Sequence, residues 1–253
     1  MTRCDAVVTD GSTEEYDMCG RYSLTQTADE IAARFDVEAP AGFEPRYNVA
    51  PTETMPVVRR RDKASADGRE APFLRWGLVP FWADDPSIGN RMINARSETV
   101  ADKPAYRAAF GRRRCLVPTD GFYEWVERDG QKWPIRIEIG GGLGAFAGIW
   151  ERWTGDDGRV VESYSILTTD AAPVLEELHD RMPVWAPEDH WDAWLTDDDG
   201  AGDVLTSMLA SFPEPSVTYR PVSPRLNRPG EDDPEVLEPV DEPGLPRRMA
   251  DGG

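Results

Sequence analysis

The stretch Gly121–Ile139 constrains the fold more than any other. Two runs of strand-forming residues, Gly121–Glu127 and Trp133–Ile139, flank Asp129-Gly130. Asp-Gly tolerates the positive φ angles of a tight turn, so the two runs are predicted to pair as an antiparallel hairpin. Further strands are predicted at Thr54–Arg59, Phe73–Val79, Arg114–Val117, Ala145–Arg152, Tyr164–Thr168 and Val217–Val222. Helices are fewer. Thr27-Ala28-Asp29-Glu30 has the form of a capping box, with Ile31, Ala32 and Phe35 at helical spacing and an end before Pro40. Short helices are predicted over Pro104–Phe110, Pro173–His179, Pro187–Leu195 and Val204–Phe212, with Asp197-Asp198-Asp199-Gly200 between the last two. Arg46–Pro51 reads as a turn-rich connector, and Asp62–Glu70 as a charged loop. Many strands joined by hairpins, with a few helices, define an α+β domain around a mainly antiparallel, β-rich core with flanking helices.

The chain has 253 residues, of which 40% are hydrophobic, with nine Trp, seven Tyr and eight Phe. It is therefore long and apolar enough to bury a sizeable core. No apolar run approaches the ~18 residues of a membrane span, and the first residues lack a secretory signal, so a cytoplasmic protein is expected. Cys4, Cys19 and Cys115 are widely and irregularly spaced, which suggests neither a disulfide framework nor a zinc site; no metal and no cofactor is expected. Residues 1–17 are acidic and unpatterned, and read as a flexible leader or a start assigned too early. Residues 18–240 form the expected domain, and residues 241–253 an acidic, Pro-rich tail expected to be solvated.

The net charge is −19, and lysine occurs only at positions 63, 103 and 132. High acid content with scarce lysine suits a surface adapted to concentrated salt, where self-repulsion is screened, as in a halophile. One segment runs against this balance. Residues 86–115 hold Arg91, Arg96, Lys103, Arg107, Arg112, Arg113 and Arg114 against Glu98 and Asp102 alone. The neighbouring Phe81 and Trp82, in a Pro-bounded loop, are expected to be exposed and could stack on unpaired bases, whereas Trp76 is expected in the core.

Four stretches carry candidate chemistry. Met18-Cys19-Gly20-Arg21-Tyr22 reads like the beginning of a protein. With Met18 removed, Cys19 would hold a thiol and a free α-amine on adjacent carbons, a pair that can close a thiazolidine ring on an aldehyde. The ordinary alternative is a partly buried cysteine. In Ile93-Asn94-Ala95-Arg96-Ser97-Glu98, extended backbone would put Asn94, Arg96 and Glu98 on one face, suited to a polar ligand or simply to solvent. Glu124 sits in an aromatic-rich strand, where partial desolvation would raise its pKa and suit it to acid catalysis; a surface strand is the even alternative. His179, one of two histidines, closes a predicted helix and titrates near neutrality, although a helix C-terminus favours histidine without any catalytic role. His190 is given a surface role.

In this order, Met18–Tyr22, Tyr47-Asn48-Val49-Ala50-Pro51, Trp76-Gly77-Leu78-Val79-Pro80, Ile93–Glu98, Asp120-Gly121-Phe122-Tyr123-Glu124-Trp125, His179-Asp180-Arg181-Met182-Pro183 and Pro221-Val222-Ser223 resemble the SOS-response-associated peptidase (SRAP) family of abasic-site processing proteins. The resemblance spans roughly residues 18–240. It implies a single domain of the family's type with a DNA groove. It also implies covalent attachment of Cys19, as the mature N-terminus, to an abasic site in single-stranded DNA. Asn94, Glu124 and His179 would complete the site, with Arg21 and Arg96 near phosphates. Phe81, Trp82, Arg91, Arg112 and Arg113 are the further residues expected to touch DNA. The expected partner is single-stranded DNA containing abasic sites, bound by a monomer and away from membranes. Seventeen residues ahead of Met18 depart from the family pattern, because an acylated α-nitrogen cannot form an imine. An early-assigned start, removal of the leader by the protein's own thiol, or loss of the chemistry would each account for them. A cysteine autopeptidase using Cys19 and His179, and a non-covalent single-strand binder, are the competing functions.

Overall fold

The computed structural model describes residues 20–61, 68–196, 202–213, 215–242 and 244–249. Along the chain run β1 (Tyr22–Leu24), α1 (Ala28–Phe35), β2 (Arg46–Val49), β3 (Thr54–Pro56), β4 (Arg59–Arg60), β5 (Arg69–Glu70), β6 (Phe73–Trp76), β7 (Asn94–Arg96) and α2 (Arg107–Arg112). There follow β8 (Arg114–Thr119), β9 (Gly121–Arg128), β10 (Gln131–Ile139), β11 (Gly144–Thr154), β12 (Val160–Asp170), β13 (Arg181–Pro183), α3 (Trp191–Leu195), α4 (Gly202–Ala210) and β14 (Val217–Pro221).

The β9–β10 hairpin forms as its turn chemistry requires. Asp129 and Gly130 take φ of 52° and 75°, and Arg128 pairs directly with Gln131. This hairpin is the centre of an antiparallel sheet ordered β14-β10-β9-β1-β2. A second sheet runs β3-β6-β12-β11-β8, with β7 and β13 also paired to β12. The β6 and β7 pairings with β12 are parallel and the others antiparallel, so the core is a mixed but mainly antiparallel one. The sheets face one another across a single apolar core. Tyr22 and Phe122 of the first meet Phe146 of the second edge-on, at ring separations of 6.5 and 6.0 Å.

Local signals explain the element ends. The Thr27 capping box is complete, with Thr27 accepting from the Glu30 N–H and Glu30 accepting from the Thr27 N–H. β6 stops at Gly77, whose φ of 117° and close approach to the Gly89 carbonyl exclude a side chain: a Cβ there would lie 2.4 Å from that oxygen.

Several expectations are corrected. Arg46–Val49 is a strand, because β1 offers it a partner and Asp232 accepts the Tyr47 and Asn48 N–H groups. Pro173–Leu178 is a run of turns, so His179 ends no helix. Thr54–Arg59 breaks into β3 and β4, and the strand at Asn94 ends at Arg96, leaving Glu98 in the following turn. The leader, Met18, Cys19 and the loop at Asp197–Gly200 lie outside the described residues.

The C-terminal stretch is not a solvated tail. Val236 is fully buried with Tyr123, Val222 and Leu226 on the outer face of the first sheet. Beyond Val240, Leu245 is 5% exposed and Arg248 bridges to Tyr219. Asp232 is the polar lock of this layer, since it also accepts from Arg46 Nε. Replacing Asp232 with Ala removes a charged acceptor from three donors and is expected to lower stability by about 3 kcal/mol in urea unfolding. A loss below about 0.5 kcal/mol would mean that the layer is held by apolar contact alone.

Candidate functional site

The site begins with the placement of β1. Ser23 Oγ donates to Asp120 Oδ1 at 2.5 Å, the Asp120 N–H donates to the Ser23 carbonyl at 3.1 Å, and Thr25 N–H donates to Asp120 Oδ2 at 3.2 Å. These bonds fix the register Tyr22↔Phe122 and Ser23↔Gly121. The Tyr123 N–H donates to the Arg21 carbonyl at 3.1 Å, which carries the same register one step beyond β1.

Alternation then sorts the side chains. Glu124 shares the face of Phe122, turned to the other sheet, and is 6% exposed. The sequence left its strand open between surface and interior; the structure decides for burial. Arg21 falls on the opposite face. Its guanidinium lies 5.9 Å from the Trp125 ring, and Nη1 donates to Asn48 Oδ1 at 2.7 Å and to the Leu226 carbonyl at 3.2 Å. Burial lowers the Arg21 pKa, with Glu53 and Tyr123 opposing.

The second sheet supplies the remaining candidates from both sides of β12. Asn94 and Arg96 pair with Ile166 and Thr168, while Arg181 and Met182 pair with Asp170 and Thr169. Asn94 is half-buried and Arg96 exposed. The Tyr106 hydroxyl, pushed up to about 12 by burial, donates to the Asn94 carbonyl at 3.1 Å. His179 Nδ1 lies 3.0 Å from both the Arg181 N–H and the Asp180 carboxylate. The two contacts need opposite protonation of Nδ1. The backbone N–H can only donate, so in that contact Nδ1 is the acceptor.

Arg181 is the residue that sequence reasoning passed over. It is 7% exposed and forms a two-pronged pair with Glu98, at 2.8 and 2.9 Å. It also donates to Asp170 and, at 2.9 Å, to the Thr168 carbonyl. One guanidinium thus joins β12, β13 and the turn after β7, and holds the Asn94 and His179 segments in one arrangement. Its place beside Asp180 in a short motif was the available signal.

The two halves meet through aromatic side chains. The Tyr22 and Tyr164 hydroxyls are 2.7 Å apart, and burial raises the pKa of both. Tyr22 packs edge-on to Trp76 at 5.1 Å, and Trp76 Nε1 donates to the Ile93 carbonyl at 3.0 Å, next to Asn94. Trp76 is fully buried, whereas Phe81 and Trp82 are 56% and 49% exposed, as the sequence suggested. Arg91 is exposed. Phe81, Arg112 and Arg113 come together elsewhere, in a cleft between α2 and β11. No group of three or more His, Cys, Asp or Glu among the described residues could hold a metal ion. No helix among them is long and apolar enough to cross a membrane.

A mixed two-sheet α+β fold defines the class. The chain belongs to the SOS response associated peptidase (SRAP) family, which it matches over residues 18–229. It is 37% identical over 226 residues to abasic site processing protein YoaM of Bacillus subtilis, covering 87% of this chain and 98% of that one. It is 33% identical over 241 residues to mouse abasic site processing protein HMCES, covering 80% and 67%. The crystal structure of a protein from Bacteroides thetaiotaomicron superposes with a TM-score of 0.77 at 24% identity, over 88% of this chain and all of that one, and shares the fold.

The Glu98–Arg181 pair generates a pH prediction. Burial alone would raise the Glu98 carboxyl; the Arg181 hydrogen bonds, with the charges of Arg181 and Arg96, outweigh it and hold the pKa below the usual range. A depressed folded-state pKa stabilises above the unfolded value, near 4.3, and that contribution disappears as pH falls through the folded value. Glu98→Gln is therefore expected to lower the thermal midpoint at pH 6–7 and to match wild type at about pH 3. Because Glu98 is 45% exposed, solvent screening limits the difference to about 1 kcal/mol. An equal gap at both pH values would contradict it.

Proposed function

We propose that this protein processes abasic sites in single-stranded DNA by covalent capture through Cys19, in the form in which Cys19 is the N-terminal residue. The observation that carries the reading is the burial of Glu124 on β9, the strand that pairs with β1 shortly after Cys19 in sequence, in a chain whose relatives are abasic site processing proteins.

The chemistry follows from the groups. An abasic deoxyribose is mostly a closed hemiacetal. Glu124 gives a proton to the ring oxygen while the C1′ hydroxyl proton leaves, and the aldehyde opens. The Cys19 α-amine, with an ordinary pKa of about 7.7–8.0, is substantially neutral and attacks C1′; loss of one water leaves a Schiff base. The thiol adds to the imine carbon, the nitrogen takes the proton, and a thiazolidine closes. His179 moves protons between these steps and Asn94 orients the sugar. Arg96, Arg91 and Trp82 hold the strand at the lesion by phosphate contact and stacking. Arg21, packed against Trp125 and bonded to Asn48 on the other face, supports the start of β1.

An acidic, lysine-poor surface fits concentrated salt, where phosphate contacts weaken steeply and a covalent bond keeps hold. The reading places a monomer in the cytoplasm, with access to replicating DNA. The test compares the Cys19-initiated protein, the full chain and Cys19→Ala with a strand containing one abasic site, on denaturing gels. The Cys19-initiated form is expected to give a heat-stable adduct and Cys19→Ala none. No adduct from the Cys19-initiated form would end the reading, and a leader cut only when Cys19 is intact would favour the autopeptidase. Glu124→Gln is expected to slow adduct formation about 100-fold, and His179→Gln about tenfold or more, in single-turnover time courses.

A further inference from the structure

The Arg-rich segment is not wholly used by the lesion site. A cleft of about 810 Å³ lies between α2 and β11, lined by Phe81, Arg107, Arg112, Arg113, Trp150, Glu151 and Arg152. It shares no residue with Asn94, Arg96, Glu124, His179 or Arg181. Four arginines meet one carboxylate here, in a chain of net charge −19.

That carboxylate does not neutralise the cleft. Glu151 is 3% exposed, paired to Arg113 at 2.5 Å, and accepts the Arg152 N–H at 2.9 Å. Arg107 and Arg152 remain exposed. The Arg152 guanidinium pairs with Glu162 at 3.9 Å, a distance at which an exposed pair contributes little. Trp150 is covered by the Arg59 guanidinium at 4.0 Å, which leaves Phe81 as the open aromatic face. Phe81 is held at the rim, because its turn closes from Ala83 N–H to Pro80 and the Trp153 indole donates to the Ala83 carbonyl at 2.6 Å. An exposed ring beside two exposed guanidinium groups is the combination that binds a strand without reading its sequence.

We propose that this cleft is a second strand-binding site, which takes phosphates of single-stranded DNA on Arg107 and Arg152 and one base on Phe81. It rests on the reading above in one respect, that the ligand is DNA, and it grips undamaged strand flanking the lesion. α2 begins one residue after Tyr106, whose hydroxyl meets the Asn94 carbonyl, so the two sites are neighbours along the chain.

Full-length Cys19→Ala protein, which cannot capture covalently, isolates equilibrium binding. Fluorescence anisotropy with labelled oligothymidylate of about 20 nucleotides is measured across a salt series. Arg107→Glu/Arg152→Glu is expected to bind at least about tenfold more weakly, and its slope of log K against log salt to be shallower by about 1.4, the share of two phosphates. Phe81→Ala is expected to lose about tenfold with the slope kept. Arg107→Lys/Arg152→Lys keeps the charge and is expected to keep the slope, and matching thermal midpoints show that the variants fold. A glutamate pair that binds as tightly as its parent, with an unchanged slope, overturns the proposal, as does a parent that binds no oligothymidylate. If the variants lose binding while the Cys19-initiated protein forms no abasic adduct, the cleft stands and the lesion reading falls. If the adduct forms and the variants bind normally, only the cleft falls.

Discussion

The antiparallel grip of β2 and β9 on the three residues Tyr22–Leu24 is the constraint on which the rest depends. So short a strand cannot hold its own register. The Asp120 carboxylate fixes one end through Ser23 and Thr25, and the Tyr22 hydroxyl, meeting Tyr164, ties the strand to the opposite sheet. A slip of one residue would turn Tyr22 out of the core and exchange the faces of Arg21 and Gly20.

The two sheets contribute unequal parts to the site. The first gives a buried carboxylate on a rigid hairpin. The second gives Asn94 and His179 on short segments either side of β12, held together by Arg181. Short strands and turns place side chains well only when something rigid backs them, and buried Arg181, paired to Glu98, with the Trp76–Ile93 contact supplies it. The C-terminal layer does the same for β2 from outside, through Asp232 and Val236.

Much of this was legible in the sequence where local chemistry decides. The Asp129-Gly130 turn and the Thr27 capping box carry their geometry in a few residues, and the structure follows them. What was not legible depends on distant partners. Arg46–Val49 looks like a connector until β1 and Asp232 satisfy its backbone, and the acid-rich C-terminal segment looks solvated until the outer face of the first sheet offers Val236 and Leu245 a place. Pro173–His179 has helical composition but forms turns, so His179 owes its position to the β13 register and not to a helix end. In the site, residue types pointed to Glu124 and Asn94. Arg181 was missed because its function is to join three segments that are far apart in sequence.

The central claim is that the amine and the thiol of Cys19 both bond to C1′ of an abasic sugar. Mass spectrometry of the N-terminal peptide, after reaction of the Cys19-initiated protein with an abasic strand and digestion of both polymers, tests it directly. The account predicts a peptide heavier by the sugar fragment less one water, with both attachments on Cys19 and no mass gain on borohydride treatment, because a closed thiazolidine has no imine to reduce. An adduct on another residue, or one on Cys19 that borohydride converts to a secondary amine with a free thiol, would contradict it.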